Sequence, residues 1–331
     1  MNKLTKIGVT ALCGSLASVA AANAGSMDVT GGASATYTSL SDSVVGNPLG
    51  MTTALTFTGN GELDNGSTFK VTIAHTNKAA YSNSAIALTT PSLGTFTYDE
   101  GGGTGIDRID DMMPTAWEET DGTGLGTGAK TVSGAGGHTD IEWAVGMGLP
   151  DGMNVYASFA PRPDGSANAK KKVGGASTKS GDNNGNGWDI VLTHSGLLDG
   201  LNVFAGLSSV EQNATLGDLD SEAYGFTFAI GGATIGYQQS SMDNVVAAAA
   251  YYDTDAYAIS YSVNDDLAIS YGATDSSSNS GATSDVEAQS FQISYSVGGA
   301  AVVSAESDVD NQNYVSGTNR SGRTVAVTLA F

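Results

Sequence analysis

Cysteine is almost missing from this chain of 331 residues. The single copy, Cys13, lies in the first 24 residues, so everything after it has neither a disulfide nor a thiol ligand for a metal. Proline is scarce, with 6 copies against 45 glycines, which excludes a Pro-rich linker and fits many tight turns. Basic residues are few, 13 Lys and Arg against 34 Asp and Glu. Nucleic acid is therefore excluded as a partner, because its phosphates need cationic side chains. Long hydrophobic runs are absent as well. The one apolar stretch, Ile7 to Ala21, is shorter than the span of about 20 residues a transmembrane helix needs.

That stretch has a different reading. Lys3 and Lys6 precede it and Ala22-Asn23-Ala24 follows it, the pattern of a signal peptide cleaved after Ala24. Leu12 before Cys13 disfavours lipid attachment there, since lipoprotein signals prefer a small residue at that position. Residues 25–331 then form one domain, with no composition break that reads as a linker. Its acidity alone would suit a disordered chain, but 40% hydrophobic content in short alternating runs is too much apolar surface for that.

What the chain does have is strict two-residue alternation. At its end, Val325, Val327, Leu329 and Phe331 alternate with Thr324, Ala326, Thr328 and Ala330, a strand with two unlike faces. Sixteen such segments can be counted. The first five run about Asp28–Thr38, Met51–Gly61, Thr68–Thr76, Ala85–Thr90 and Thr95–Asp99. The sixth carries the alternating set Ile141, Trp143, Val145, Met147 and Leu149. Connections alternate between short turns, such as Asp64-Asn65-Gly66, and longer polar loops, and the longest is Glu100–His138. An antiparallel meander puts all the turns at one end and all the loops at the other, as in outer-membrane barrels. The second face of each strand is Ser, Thr, Gln, Gly and Ala. In a dry core those hydroxyls would go unpaired at about 1–3 kcal/mol each. The apolar face is therefore the outside, lipid is its solvent, and the sheet must close around water. The fold class is all-β, a transmembrane antiparallel barrel of about sixteen strands.

In this the whole chain resembles the general porins of Gram-negative bacteria, particularly the alphaproteobacterial ones. The resemblance rests on the leader, the sixteen strands, the long third loop and the terminal aromatic Phe331. It implies localisation in the outer membrane, passive diffusion of small hydrophilic solutes and cations, and no cofactor. It also implies a third loop folded into the pore, association of three barrels, and reading of the Phe331 strand by the barrel-assembly machinery. The Pro-Glu-Phe-Gly-Gly signature of enterobacterial porins is absent, Pro114 being followed by Thr115.

The third loop is the candidate constriction. Its stretch Asp99–Asp121 sets Asp99, Glu100, Asp107, Asp110, Asp111, Glu118, Glu119 and Asp121 against one base, Arg108. A ring of carboxylates in the lumen raises local cation concentration, so cation preference is expected; a solvated surface loop is the alternative. The resemblance implies a cluster of arginines on the facing wall, but here the wall offers Lys70 and, at the start of the last strand, Arg323. Glu142 and Asp189 are expected to add negative charge to the lumen.

Gly102-Gly103-Thr104-Gly105-Ile106-Asp107 matches one unit of the calcium-binding nonapeptide, but a β-roll needs several copies. A single Ca²⁺ on these carboxylates stays compatible with their chemistry, since hard cations take oxygen ligands. His75, His138 and His194 have no ligand spacing, and no Gly-x-Ser-x-Gly elbow follows the leader, so no catalytic residue is assigned. A barrel phospholipase would need only a Ser and a His on one outer face. Lys170, Lys171, Lys172 and Lys179 form the one basic cluster, expected in a solvated loop or at lipid headgroups. Tyr37, Tyr98, Trp188, Tyr224, Tyr251, Tyr252 and Tyr271 suit interfacial girdles. A rival from another class is a secreted or surface-attached β-rich adhesin or solenoid.

Overall fold

The structure is a computed structural model that describes residues 25–41, 47–77, 82–100, 102–120, 125–161, 185–212, 217–243, 250–279 and 284–330. Residues 1–24 with Cys13 and the expected cleavage site at Ala24, the lysine cluster, Asp121 and Phe331 lie outside the described residues.

Sixteen strands follow one another as hairpins. They are β1 (Met27–Leu40), β2 (Leu49–Glu62), β3 (Thr68–Thr76), β4 (Asn83–Thr90), β5 (Gly94–Asp99), β6 (Asp140–Val145), β7 (Met153–Pro161) and β8 (Asn186–His194), then β9 (Leu201–Val210), β10 (Leu219–Ile230), β11 (Ala233–Asp243), β12 (Tyr251–Ser262), β13 (Leu267–Ser278), β14 (Val286–Val297), β15 (Ala300–Asp310) and β16 (Arg320–Ala330). Each pairs antiparallel with its neighbours in sequence, and β1 pairs with β16 from Gly32–Ala330 to Leu40–Gly322, closing the barrel. A solenoid stacks repeats at a fixed period, whereas this sheet closes on itself, so the adhesin or solenoid reading is not supported.

The period-two pattern places every strand. One row of cross-strand partners runs Ile86, Tyr98, Ile141, Phe159 and Trp188, all facing outward and all about half exposed. The next row runs Lys70, Ala87, Thr97, Glu142, Ser158 and Asp189, all facing inward. Tight turns close one end, as at Gly231, Gly298 and Gly66, where positive φ suits glycine.

Three strands depart from what apolar alternation alone would mark. β6 stops at Val145, so Met147 and Leu149 lie in the turn beyond it. Gly146 there donates to the Leu93 carbonyl at 3.1 Å, and Gly148 takes a φ of +70°. β10 and β12 begin at Leu219 and Tyr251, several residues before their apolar alternation starts. Their outward positions in that stretch are Asp220, Glu222, Asp253 and Asp255, so the strand continues where its oily face ends. Arg323 faces outward opposite Glu306, not into the lumen.

The outward aromatics Tyr37, Tyr98, Trp188, Tyr224, Tyr251 and Tyr271 are 40–52% exposed, as girdle residues should be. Tyr252 is the exception: it faces inward, 5% exposed, with its ring centroid 5.0 Å from that of Tyr314.

The closing register makes a direct prediction. Cross-strand partners sit about 4.5–5.5 Å apart at Cα, within disulfide range, whereas diagonal positions are about 7–8 Å apart. Thr36→Cys with Ala326→Cys should therefore cross-link on oxidation and shift gel mobility. The diagonal pair Thr36→Cys with Thr324→Cys should not; the reverse outcome contradicts the register.

Candidate functional site: the loop inside the barrel

The segment between β5 and β6 lies within the barrel rather than over it. It leaves β5 at Asp99, forms a short 3-10 turn at Gly105–Ile109, and crosses to the walls of β13 and β14. It then returns past β12 and β10 to a second 3-10 turn, Ala135–Gly137, before β6. A loop in a water-filled lumen must satisfy its backbone from the wall, and the polar inward face of the strands supplies the partners.

Near its base, Thr104 Oγ1 donates to Asp140 at 2.9 Å and the Gly105 N–H to Glu142 at 2.8 Å. Asp189 on β8 accepts from the N–H groups of Ile106, Ala135 and Gly136. At its far reach, Gln292 on β14 does the equivalent work. Its Oε1 accepts from Thr115 Oγ1 at 2.8 Å and from the N–H groups of Trp117 and Glu118 at 3.1 and 3.0 Å. Its Nε2 donates to the Glu118 carbonyl and to Ser290 Oγ. Ser270 Oγ on β13 accepts the Ala116 N–H at 2.9 Å. On the return path Thr254 Oγ1 donates to the Lys130 carbonyl at 2.6 Å, and the Lys130 N–H donates to Tyr314 Oη at 3.0 Å. Tyr314 belongs to the loop between β15 and β16, where it takes a φ of +61°, rare for an aromatic residue. Burial pushes its phenol above the ordinary tyrosine value.

Apolar contacts fix the same path. Ile106 and Ile109, both fully buried, pack with Met113 on Val191, Phe204 and Ala223 of the wall. Each such isoleucine is worth about 1.5–3 kcal/mol in buried area. Gly206, Gly236 and Gly272, on β9, β11 and β13, make room: an added Cβ would come 2.8 Å from Ile109, 2.4 Å from Pro114 and 2.4 Å from Thr120. A second cluster joins Leu125 to Tyr252, Val286, Val309 and Tyr314.

The acidic residues named from sequence divide by placement. Asp111 and Glu118 are exposed in the lumen, while Asp107, Asp110 and Glu119 are half-buried. Those three also serve the loop itself: Asp107 accepts the Gly103 N–H, Asp110 the Thr131 hydroxyl and Glu119 the Met113 N–H, each at 2.5 Å. Asp99 is 4% exposed on β5, and Glu100 accepts from Ser84 Oγ at 2.8 Å. Arg108 is drawn to the wall, ion-paired with Glu142 and with its guanidinium carbon 3.9 Å from the Tyr156 ring centroid. Glu142 and Asp189, expected as lumen charges, are 3% and 1% exposed beneath the loop. Among the described residues no group of three or more acidic, His or Cys side chains is placed to hold a metal ion.

Because the loop covers them, inward positions of β8 through β14 are largely buried. Those of β1–β3, including Thr52, Ala54, Thr68 and Lys70, stay solvent-accessible. The open passage therefore runs between the loop and the β1–β3 wall. Lys70 is the only Lys or Arg among the described strand residues of β1–β4.

Gln292 and Tyr314 were invisible to motif reading. The one available signal was an amide at a central inward strand position and an aromatic in a polar loop. Replacing Gln292 by Leu removes the acceptor of the Glu118 N–H, at about 1–3 kcal/mol, and leaves the Trp117 N–H only its longer bond to Thr115 Oγ1 at 3.3 Å. Amide exchange of Trp117 and Glu118 should accelerate by about tenfold or more, with the barrel intact; unchanged exchange would show that the tip is held elsewhere.

No protein-family model matches the chain, and no curated protein sequence does. Solved structures do match. The anion-selective porin from Comamonas acidovorans aligns at 13% identity over 93% of this chain and 100% of its own, with a TM-score of 0.67. OmpF of Salmonella typhi, in complex with daunomycin, aligns at 15% identity over 92% and 97%, with a TM-score of 0.70. OmpT, an outer membrane protein of Vibrio cholerae, aligns at 14% identity over 93% and 98%, with a TM-score of 0.66. This chain thus has the fold of the sixteen-stranded general porins.

Proposed function

We propose that the protein is an outer-membrane channel for passive diffusion of ions and small hydrophilic solutes, preferring cations. The observation that carries this reading is the pairing of an apolar exterior with a solvent-accessible, hydroxyl-lined passage beside an acidic loop. Outward residues such as Ile190, Leu207, Tyr257, Ile259 and Phe291 are 44–52% exposed and belong in hydrocarbon. The matched porins and outer-membrane proteins support this placement through their common fold.

Ion preference follows from the charges beside the passage. The matched Comamonas porin is anion-selective, so the fold itself does not fix the sign. Here Arg108 is taken up by Glu142, and the loop keeps Asp107, Asp110, Asp111, Glu118 and Glu119 at least partly solvent-accessible against Lys130, with Lys70 as the strand base across the passage. The balance is negative, which enriches cations at the narrow point. Association of three barrels and assembly through the strand ending at Phe331 belong to the same proposal. OmpT of Vibrio cholerae, one of the matched folds, is known in a trimer form.

Reversal potentials across planar bilayers under a salt gradient test the proposal. The wild type should prefer cations, and Asp111→Asn with Glu118→Gln should lower the cation-to-anion permeability ratio about twofold or more at 0.1 M salt. That difference should fade toward 1 M, where the screening length falls to about 3 Å. An anion-preferring wild type, or a double variant indistinguishable from it at low salt, would contradict the assignment.

A further inference from the structure

The two ends of the inward loop are unusually rich in glycine: Gly102-Gly103-Thr104-Gly105 on the way in and Gly134-Ala135-Gly136-Gly137 on the way out. Both close on the carboxylate of Asp189, which is 1% exposed. Oδ2 accepts the Ile106 N–H at 2.9 Å and the Gly136 N–H at 2.8 Å, and Oδ1 accepts the Ala135 N–H at 2.8 Å. The close fit explains three of these glycines, Gly105, Gly134 and Gly136. A Cβ on Gly105 would lie 2.0 Å from Oδ2, one on Gly134 would lie 2.7 Å from Oδ1, and one on Gly136 would lie 1.8 Å from the Thr104 carbonyl oxygen. Gly105 also takes a φ of +51°, which other residues adopt at a cost.

We propose that Asp189 is a latch: a positioning residue on β8 that fastens both legs of the loop to the barrel wall and so sets where the loop stands in the lumen. The fragment resembling a calcium-binding repeat is, on this reading, half of a socket for a protein carboxylate. Three N–H donors take the place of the water that Asp189 gives up on burial. Its charge is thereby engaged by the loop backbone and held away from permeating ions. Glu142 supports the same base through the Gly105 N–H and Arg108, but it reaches only the incoming leg. Asp189 reaches both. The proposal rests on the channel reading only for its electrical consequence.

The test is Asp189→Asn in the full-length protein folded in detergent. Asparagine keeps one acceptor oxygen and turns an NH₂ group toward N–H groups that need acceptors. Heat-modifiable gel migration should persist, showing an intact barrel. Trypsin cleavage after Arg108, mapped by mass spectrometry, should accelerate about tenfold or more, because cleavage reports the open population of the loop. Open-channel current noise should rise with it, which general destabilisation of the barrel would not produce. Unchanged cleavage after Arg108 overturns the proposal; if cation preference also falls, Asp189 acts as a lumen charge instead.

If the asparagine variant fails to form a barrel, Gly105→Ala serves in its place. It keeps every ionisable group and drives a Cβ onto Oδ2. It should accelerate the same cleavage, and an unchanged rate again overturns the latch. A wild-type protein that is electrically silent yet shows the cleavage effect would refute the channel reading and leave the latch standing.

Discussion

The pairing of β1 with β16 is the constraint on which everything else depends. Nine cross-strand partners, from Gly32–Ala330 to Leu40–Gly322, remove the last free edge of the sheet. In an apolar surround each unpaired backbone group costs several kcal/mol, so an open sheet of this composition would not tolerate the medium its exterior needs. Once closed, the sheet can carry Ile235, Ile259, Tyr271, Phe291 and Val327 outward without any of them needing a partner inside the molecule. The interior is then free to be wet, and no central apolar core is needed.

What core exists is local, and the loop makes it. Ile106, Ile109 and Met113 dry out one patch of wall, and Leu125 with Tyr314 dries out another. Between them the contacts are polar, from wall side chains to loop backbone. This division lets one segment be fixed firmly inside an aqueous lumen: the apolar contacts give affinity for the wall, and Asp189, Ser270, Gln292 and Thr254 give position. It also sorts the charges. The wall carboxylates beneath the loop, Glu142 and Asp189, are buried, whereas Asp111 and Glu118 on the loop itself are exposed.

Much of the barrel was legible in the sequence because a strand between lipid and water must alternate, and turns at one end must be short. Legibility faded where the exterior changes solvent. The early parts of β10 and β12 alternate serine, threonine or alanine with Asp and Glu, and an apolar count passes over them. Met147 and Leu149 failed for the opposite reason: their alternation is real, but Gly146 and Gly148 turn the chain first. Within the loop, the acidic residues were visible as a cluster, but their division into exposed and half-buried groups was not. That division depends on partners far away in the chain, such as Glu142 for Arg108 and Thr131 for Asp110. Glu142 and Asp189 were recognised as inward-facing. Nothing in their local sequence said that a loop would cover them.

The central claim is that hydrocarbon lies outside the cylinder and water inside it. Single-cysteine spin labels placed in turn from Tyr257 to Ser262, in the protein reconstituted into lipid vesicles with Cys13, the one native cysteine, replaced by serine, test it most directly. The account predicts a period of two: labels at 257, 259 and 261 collide mainly with oxygen dissolved in the bilayer, and those at 258, 260 and 262 mainly with a water-soluble nickel chelate. Equal access of the chelate to both sets of positions would contradict it.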